Sequence, residues 1–246
     1  MKHFELRLTK QLLLSGIFIP VCIFSSLFFL LIALSTTFLT NIKAADTVFS
    51  DGFSGGSIGE DWNTSQGTWV QSGGVLTLTG YASGDYNKAV ITGITANLDY
   101  TMTVKLRVNS WSNGDNARVG ITLNADTANS NRGYSLLFHN DHNTVQWFWD
   151  GAGWGPAYTF SWSNETWYWF KVEELNGAFY GKVWADGTSE PSRWMYFWNE
   201  PDGGLNGYPA LVGGVNEYAA ASFDDVTVTT SDPMPSPTPP PNDDFA

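Results

Sequence analysis

The chain has 246 residues, a formal net charge of −12, and aromatic and charged residues in nearly equal share, 15% of each. So acidic a balance repels nucleic acid and anionic membrane surfaces, which select clustered Lys and Arg, and it excludes nucleic-acid binding as a function class. One cysteine, Cys22, excludes a disulfide framework.

Residues 1–44 begin with Lys2, Arg7 and Lys10. An apolar run from about 12 to 39 follows and closes on Ile42-Lys43-Ala44-Ala45. The small residues suit cleavage of a signal peptide, while the length of the run also suits a retained N-terminal anchor. Either way the remainder is expected to be exported, extracellular or cell-surface, touching a membrane only through an uncleaved leader. Cys22 lies in this segment, so the exported part has no cysteine. It carries 8 Lys+Arg against 23 Asp+Glu, a net charge of −15, which fits neutral polymers or divalent cations as partners.

Residues 46–230 are expected to form one domain with one core. Short runs of period two recur near 48–53, 68–71, 74–79, 88–92, 100–108, 116–123, 133–139, 143–149, 167–174, 178–185, 194–198, 209–215 and 219–229. Gly, Asn, Asp and Ser clusters separate them, and no ten-residue stretch shows a helical period. The expected fold class is all-β, a two-sheet antiparallel β-sandwich of jelly-roll type.

The opening run holds Phe49, Asp51 and Phe53; the closing one reads Ala-Ser-Phe223-Asp224-Asp225-Val226. Terminal strands of sandwiches commonly pair, and the alternation slips by one between Phe223 and Val226, as a β-bulge requires. Asp51, Asp224 and Asp225 are thus a candidate structural Ca²⁺ site, since Ca²⁺ takes six to eight oxygens. The plain alternative is two solvated carboxylates protecting an edge. His139-Asn-Asp141-His142 could be a metal pair but reads equally well as a hairpin turn.

Residues 145–170 hold eleven aromatics, six of them Trp. A compact core needs few Trp, so part of this surplus points to a surface that binds a flat partner, and a sugar ring is the common one outside the cell. Val145, Trp147 and Trp149 alternate as core residues. The Gly-rich stretch after Asp150 is expected to be a loop, carrying Trp154, Tyr158 and Trp162 at the mouth of a binding face.

Asn176-Gly177 is the preferred pair for a two-residue type I′ turn. It would set Leu175 opposite Ala178, and each further pair sums to 353. One face then carries Tyr168, Phe170 and Val172 to the core. The other sets Trp169 opposite Trp184, Lys171 opposite Lys182 and Glu173 opposite Tyr180, with Trp167 at the edge. Register fixes this division, because a slip of one residue would turn the apolar set outward. Like charges directly opposite are unfavourable unless a carboxylate such as Glu173 lies nearby. Trp167, Trp169, Tyr180 and Trp184 with Glu173 are therefore candidate sugar-binding residues, or else a second layer covers them.

Residues 231–242, SDPMPSPTPPPN, form an extended Pro-rich spacer. Residues 243–246 read as the opening of a further module in cis.

The patterns F-x-D-x-F-S-G-G from Phe49, G67-T-W69-V-x-S-G-G-V-L76, W167-Y-W-F-K-V, K182-V-W184-A-D-G-T-S-E190-P-S-R-W194 and F223-D-D-V-T-V resemble bacterial concanavalin A-like lectin/glucanase domains, laminin-G-like jelly rolls. The likeness spans about 47–230. It implies a carbohydrate-binding or adhesive module, often with structural Ca²⁺, and names no ligand. Laminarinase-type members carry an E-x-D-x-x-E strand, which is absent here. Glu173 and Glu174 are adjacent and point to opposite faces, so an enzyme would have to recruit a single acid with Asp186 or Glu217. Three readings follow: a non-catalytic module that binds polysaccharide, a structural or adhesive surface module, and a glycoside hydrolase or lyase.

Overall fold

The computed structural model describes residues 45–230, apart from 81–85, 97–98, 112–116, 140–141, 176, 200–205 and 215–218. The leader, the spacer and the tail lie outside the described residues, as do Asp141 and Glu217. The strands in chain order are β1 (Thr47–Asp51), β2 (Trp62–Asn63), β3 (Thr68–Ser72), β4 (Val75–Gly80), β5 (Asn87–Ile91), β6 (Tyr100–Trp111), β7 (Val119–Ala125), β8 (Tyr134–His139), β9 (Thr144–Trp149), β10 (Gly153–Thr159), β11 (Trp167–Leu175), β12 (Ala178–Ala185), β13 (Tyr196–Asn199), β14 (Tyr208–Gly213) and β15 (Ala219–Thr230).

They form two antiparallel sheets. The first runs β13-β12-β11-β6-β15-β4-β3, with β1 also paired to β15; the second runs β10-β9-β8-β7-β14-β5-β2. The expected all-β sandwich is what the chain builds. Period-two alternation is the cause. Met102, Val104, Leu106 and Val108 of β6 are buried and pack in one cluster with Ile121 and Leu123 of β7, Leu136 and Phe138 of β8, and Trp147 of β9. Each strand contributes its apolar side to one shared interior, and each such side chain stabilises by about 1.5–3 kcal/mol relative to exposure.

The β11–β12 hairpin has the register read from Asn176-Gly177: Leu175 pairs with Ala178, Trp169 with Trp184 and Tyr168 with Ala185. Gly177 sits at φ +72°, the left-handed conformation that a type I′ turn demands. The terminal strands pair as expected, with Asp51 opposite Val226, and β15 is irregular between Asp224 and Thr227, where Asp225 takes φ +49°.

One expectation fails. The Gly-rich stretch after Asp150 is not a loop but β10, the edge strand of the second sheet, paired to β9. The register shifts between Trp154 and Ala157, where Gly155 and Pro156 fall. A bulge on an edge strand is where a residue without an N–H is tolerated. Period-two reading missed it because the bulge breaks the alternation.

Candidate aromatic face

The outward face of the first sheet is built by cross-strand register. Trp184 of β12 lies opposite Trp169 of β11, Trp169 opposite Lys105 of β6, and Lys105 opposite Asp224 of β15. One row across four strands thus reads Trp-Trp-Lys-Asp. In a flanking row Trp167 stands opposite Arg107. The Trp169 and Trp184 rings are nearly parallel, 15° apart with centroids at 6.2 Å, and both are half-buried.

Charge interleaves with these rings. Lys105 Nζ stands 5.5 Å from the Trp167 ring and 5.7 Å from the Trp169 ring, and the Arg107 guanidinium lies 5.0 Å from Trp167. The Trp169 indole N–H donates to Asp186 Oδ1 at 2.9 Å, and Lys105 Nζ pairs with Asp186 Oδ2 at 2.9 Å. That hydrogen bond from Lys105, together with the indole N–H, holds the Asp186 carboxyl below the usual carboxylate range.

The opposed Lys171 and Lys182 are neutralised by Glu190, not by the diagonal Glu173. Both ammonium groups donate to Glu190 Oε1, at 3.0 and 2.9 Å. Burial pushes the Glu190 carboxyl up, but the two lysines outweigh it and leave it below its ordinary value. Glu173 instead accepts a hydrogen bond from Thr101 Oγ1 at 3.3 Å. Glu174, on the other face, accepts one from Asn124 Nδ2 at 2.8 Å.

The remaining candidates separate. Tyr180 points outward but is 3% exposed, covered by Trp194 and Phe197, whose ring centroids lie 5.9 and 5.2 Å away. The aromatic face is therefore open at Trp167, Trp169 and Trp184 and roofed at its β13 end. Trp162 is no loop-borne edge residue: it is 3% exposed and stacks on Phe138 at 4.6 Å and 16°. The chain turns it back into the core after β10. Tyr158 is half-buried against the same core, and its hydroxyl donates to the Phe197 carbonyl at 2.7 Å. Trp154 is 65% exposed but sits on β10, in the second sheet. The aromatic-rich segment thus supplies both sheets, not one cluster.

Among the described residues no group of three or more His, Cys, Asp or Glu side chains could hold a metal ion. The Asp51 carboxylate takes the Phe53 N–H on Oδ1 at 2.7 Å and the Trp62 indole N–H on Oδ2 at 2.9 Å. Asp224 Oδ1 accepts the Asp225 N–H at 2.7 Å. Burial, helped by the charges of Asp225 and Asp51, raises the Asp224 carboxyl. His142 Nε2 lies 3.3 Å from Asn164 Oδ1, and His139 is buried beside Phe148 and Trp154.

Sequence reasoning did not place Lys105, Arg107 and Glu190 on this face, and it weighed Asp186 only as an acid that an enzyme would recruit. Lys105 and Arg107 carried a signal, since both lie on the polar side of a strongly alternating strand. Asp186 and Glu190 arrive from the turn after β12, which period-two reading does not place.

The sequence matches no family model and no curated protein. Solved structures share the fold. The carbohydrate-binding module CBM66 from Bacillus subtilis aligns at 19% identity and a TM-score of 0.53, covering 69% of this chain and 96% of that one. The Crh5 transglycosylase in its apo form aligns at 12% and 0.52, covering 79% and 90%. A laminarinase from Flavobacterium sp. UMI-01 aligns at 9% and 0.52, covering 75% and 100%. The chain therefore folds as a β-sandwich of the kind found in carbohydrate-binding and carbohydrate-processing domains.

Proposed function

We propose that residues 46–230 are an exported, non-catalytic carbohydrate-binding module of the concanavalin A-like, laminin-G-like type. It would hold a polysaccharide against Trp167, Trp169 and Trp184. The observation that carries this reading is the nearly parallel, half-exposed pair Trp169–Trp184 set in a row with Lys105 and Asp186. Flat apolar rings edged by fixed donors and acceptors suit a sugar ring, which has an apolar face and a rim of hydroxyls. The sandwich neighbours support the same substrate class. The spacer 231–242 suits a module tethered to a further one in cis, and the acidic exterior suits an extracellular setting.

The non-catalytic part of the reading is supported by the two carboxylates that bind the lysines of this face, Asp186 and Glu190. Glycoside hydrolysis needs one carboxyl raised enough to donate a proton. Asp186 and Glu190 are both held below their ordinary values by lysines, so neither suits that role; Asp224, in the same row, is raised, but its Oδ1 accepts the Asp225 N–H in the bulge.

A glycan array with the folded protein, run with and without EDTA, tests ligand and calcium together. Trp169→Ala and Trp184→Ala should each weaken retention on the bound polysaccharide about tenfold or more. Unchanged retention in both would remove this face as the site. Silence on the array with normal folding would favour the structural or adhesive reading, and release of reducing ends would favour an enzyme. If an ion joins Asp51, Asp224 and Asp225, EDTA should lower the melting temperature; an unchanged value would leave those carboxylates to the bulge alone.

A further inference from the structure

The second sheet carries a guanidinium that the aromatic face does not use. Arg118 lies immediately before β7 and is 6% exposed. Its guanidinium carbon stands 4.3 Å from the centroid of Phe148 and 5.3 Å from that of Trp154. Nη1 donates to the Tyr86 hydroxyl at 3.3 Å, and Nε, although buried, has no hydrogen-bond partner among the described residues. Among the described residues no carboxylate forms an ion pair with Arg118. The nearby carboxylate, Asp150, spends Oδ2 on Lys88, at 2.8 Å with both side chains fully buried, and on Ser135 Oγ at 2.8 Å, while its buried Oδ1 has no hydrogen-bond partner among the described residues. Lys88 and Asp150 cancel, so the cluster keeps the one positive charge of Arg118 in a chain whose net charge is −12.

Beside this charge stands Trp154, the most exposed large apolar side chain among the described residues, at 65%. Trp154 packs one side against buried Phe148 and His139 of its own sheet and leaves the rest of its indole open to solvent. Its ring contacts are Phe148, His139 and the Arg118 guanidinium. A buried, orphaned N–H donor next to an open aromatic ring suits a ligand with an anionic oxygen pair joined to a flat, partly apolar ring.

We propose that Arg118, Tyr86, Phe148 and Trp154 form a second glycan site, on the sheet opposite the Trp169–Trp184 face, that takes an acidic sugar. The carboxylate of a hexuronate unit binds the Arg118 guanidinium, and the pyranose ring of that unit lies on the Trp154 indole. The site goes beyond the function proposed above and stands independently of it, since the two faces share no residue. Carrying both, the module would grip a polymer of mixed neutral and acidic sugars on opposite faces.

The test uses oligogalacturonate and a neutral β-glucan oligosaccharide as probes, with calorimetry on the full-length protein and four variants. Arg118→Gln and Trp154→Ala should each weaken oligogalacturonate binding about tenfold or more, while Trp169→Ala and Trp184→Ala leave it unchanged. Binding should weaken as salt is raised, because a charge pair carries it. Trp154→Ala removes an exposed ring and serves as the variant that keeps its fold if Arg118→Gln does not. No binding of oligogalacturonate by the wild type would overturn the proposal, as would full binding by a folded Trp154→Ala. A sulfated oligosaccharide forms a third arm: preference for it over the uronate, lost in Arg118→Gln, would overturn the carboxylate assignment. Failure of the neutral glucan to bind bears only on the first face, so the two outcomes are distinguishable.

Discussion

Glu190 shows how one side chain sets the character of a whole face. Lys171 and Lys182 are directly opposed in the β11–β12 hairpin, an arrangement that repels unless a carboxylate intervenes. Glu190 reaches both from the turn that follows. Since Glu190 is 40% exposed, solvent screens the contact, and Glu190→Gln should cost only about 0.5–1 kcal/mol, less at high salt. Chemical denaturation at two salt concentrations would check this. The pH dependence has a definite sign. The folded carboxyl lies below its ordinary 4.5, so its stabilisation is complete above that value and disappears as pH falls through the lowered one. The wild type should therefore lose more stability than the Gln variant on acidification below pH 4.5. Equal losses would show that the lysines do not depend on Glu190. Sequence alone paired the lysines correctly and offered Glu173 as an example of a carboxylate that could neutralise them. The actual partner is eight residues past Lys182 in a turn, where no periodicity applies.

At the level of the element, the β11–β12 hairpin was legible to the residue, and β10 was not. The hairpin was readable because a two-residue type I′ turn and a strict alternation specify the same register independently. Gly177→Ala should test the turn directly: at φ +72° a Cβ is strained, and a loss of about 1–2 kcal/mol is expected from equilibrium unfolding. A loss near zero would mean the hairpin is held by its cross-strand pairs alone. In β10 the Gly155-Pro156 bulge removes the alternation, and only pairing with β9 makes the segment a strand. The same error displaced Trp154, Tyr158 and Trp162, which were grouped as one loop edge. They go to solvent on the second sheet, to the sandwich margin and to the core respectively, because each follows the pleat or the turn it sits in.

At the scale of the molecule, the two sheets differ in how they treat charge. The first keeps its lysines near the surface, paired with Asp186 and Glu190. The second buries Lys88 and Asp150 together at 2.8 Å, with Lys88 Nζ also donating to the carbonyls of Ser130 and Arg132. Burial alone would raise Asp150 and lower Lys88, and their contact opposes both shifts. Breaking such a pair leaves an uncompensated buried charge. Asp150→Ala should therefore destabilise by about 3–5 kcal/mol, while the double change Lys88→Met with Asp150→Leu should cost far less. Urea unfolding of the two variants would decide it, and a double change that costs as much as the single one would show that the pair does not act as a unit.

The sequence by itself determined the all-β class, most of the strands, the hairpin register, the pairing of the chain's first and last strands and the bulge at Asp224-Asp225. All of these follow from local rules: alternation, turn chemistry and the slip in period that a bulge leaves. What only the tertiary structure decided is which aromatics meet. Trp169 and Trp184 share a face because they are paired across a hairpin, but Trp154 faces the other way because its strand joins the other sheet. Arg118, Tyr86 and Phe148 lie far apart in the chain and come together through the strand order β9-β8-β7-β14-β5, which no local pattern encodes. Periodicity specifies the side of a strand on which a residue stands; only the order of strands in the sheet specifies its neighbours there.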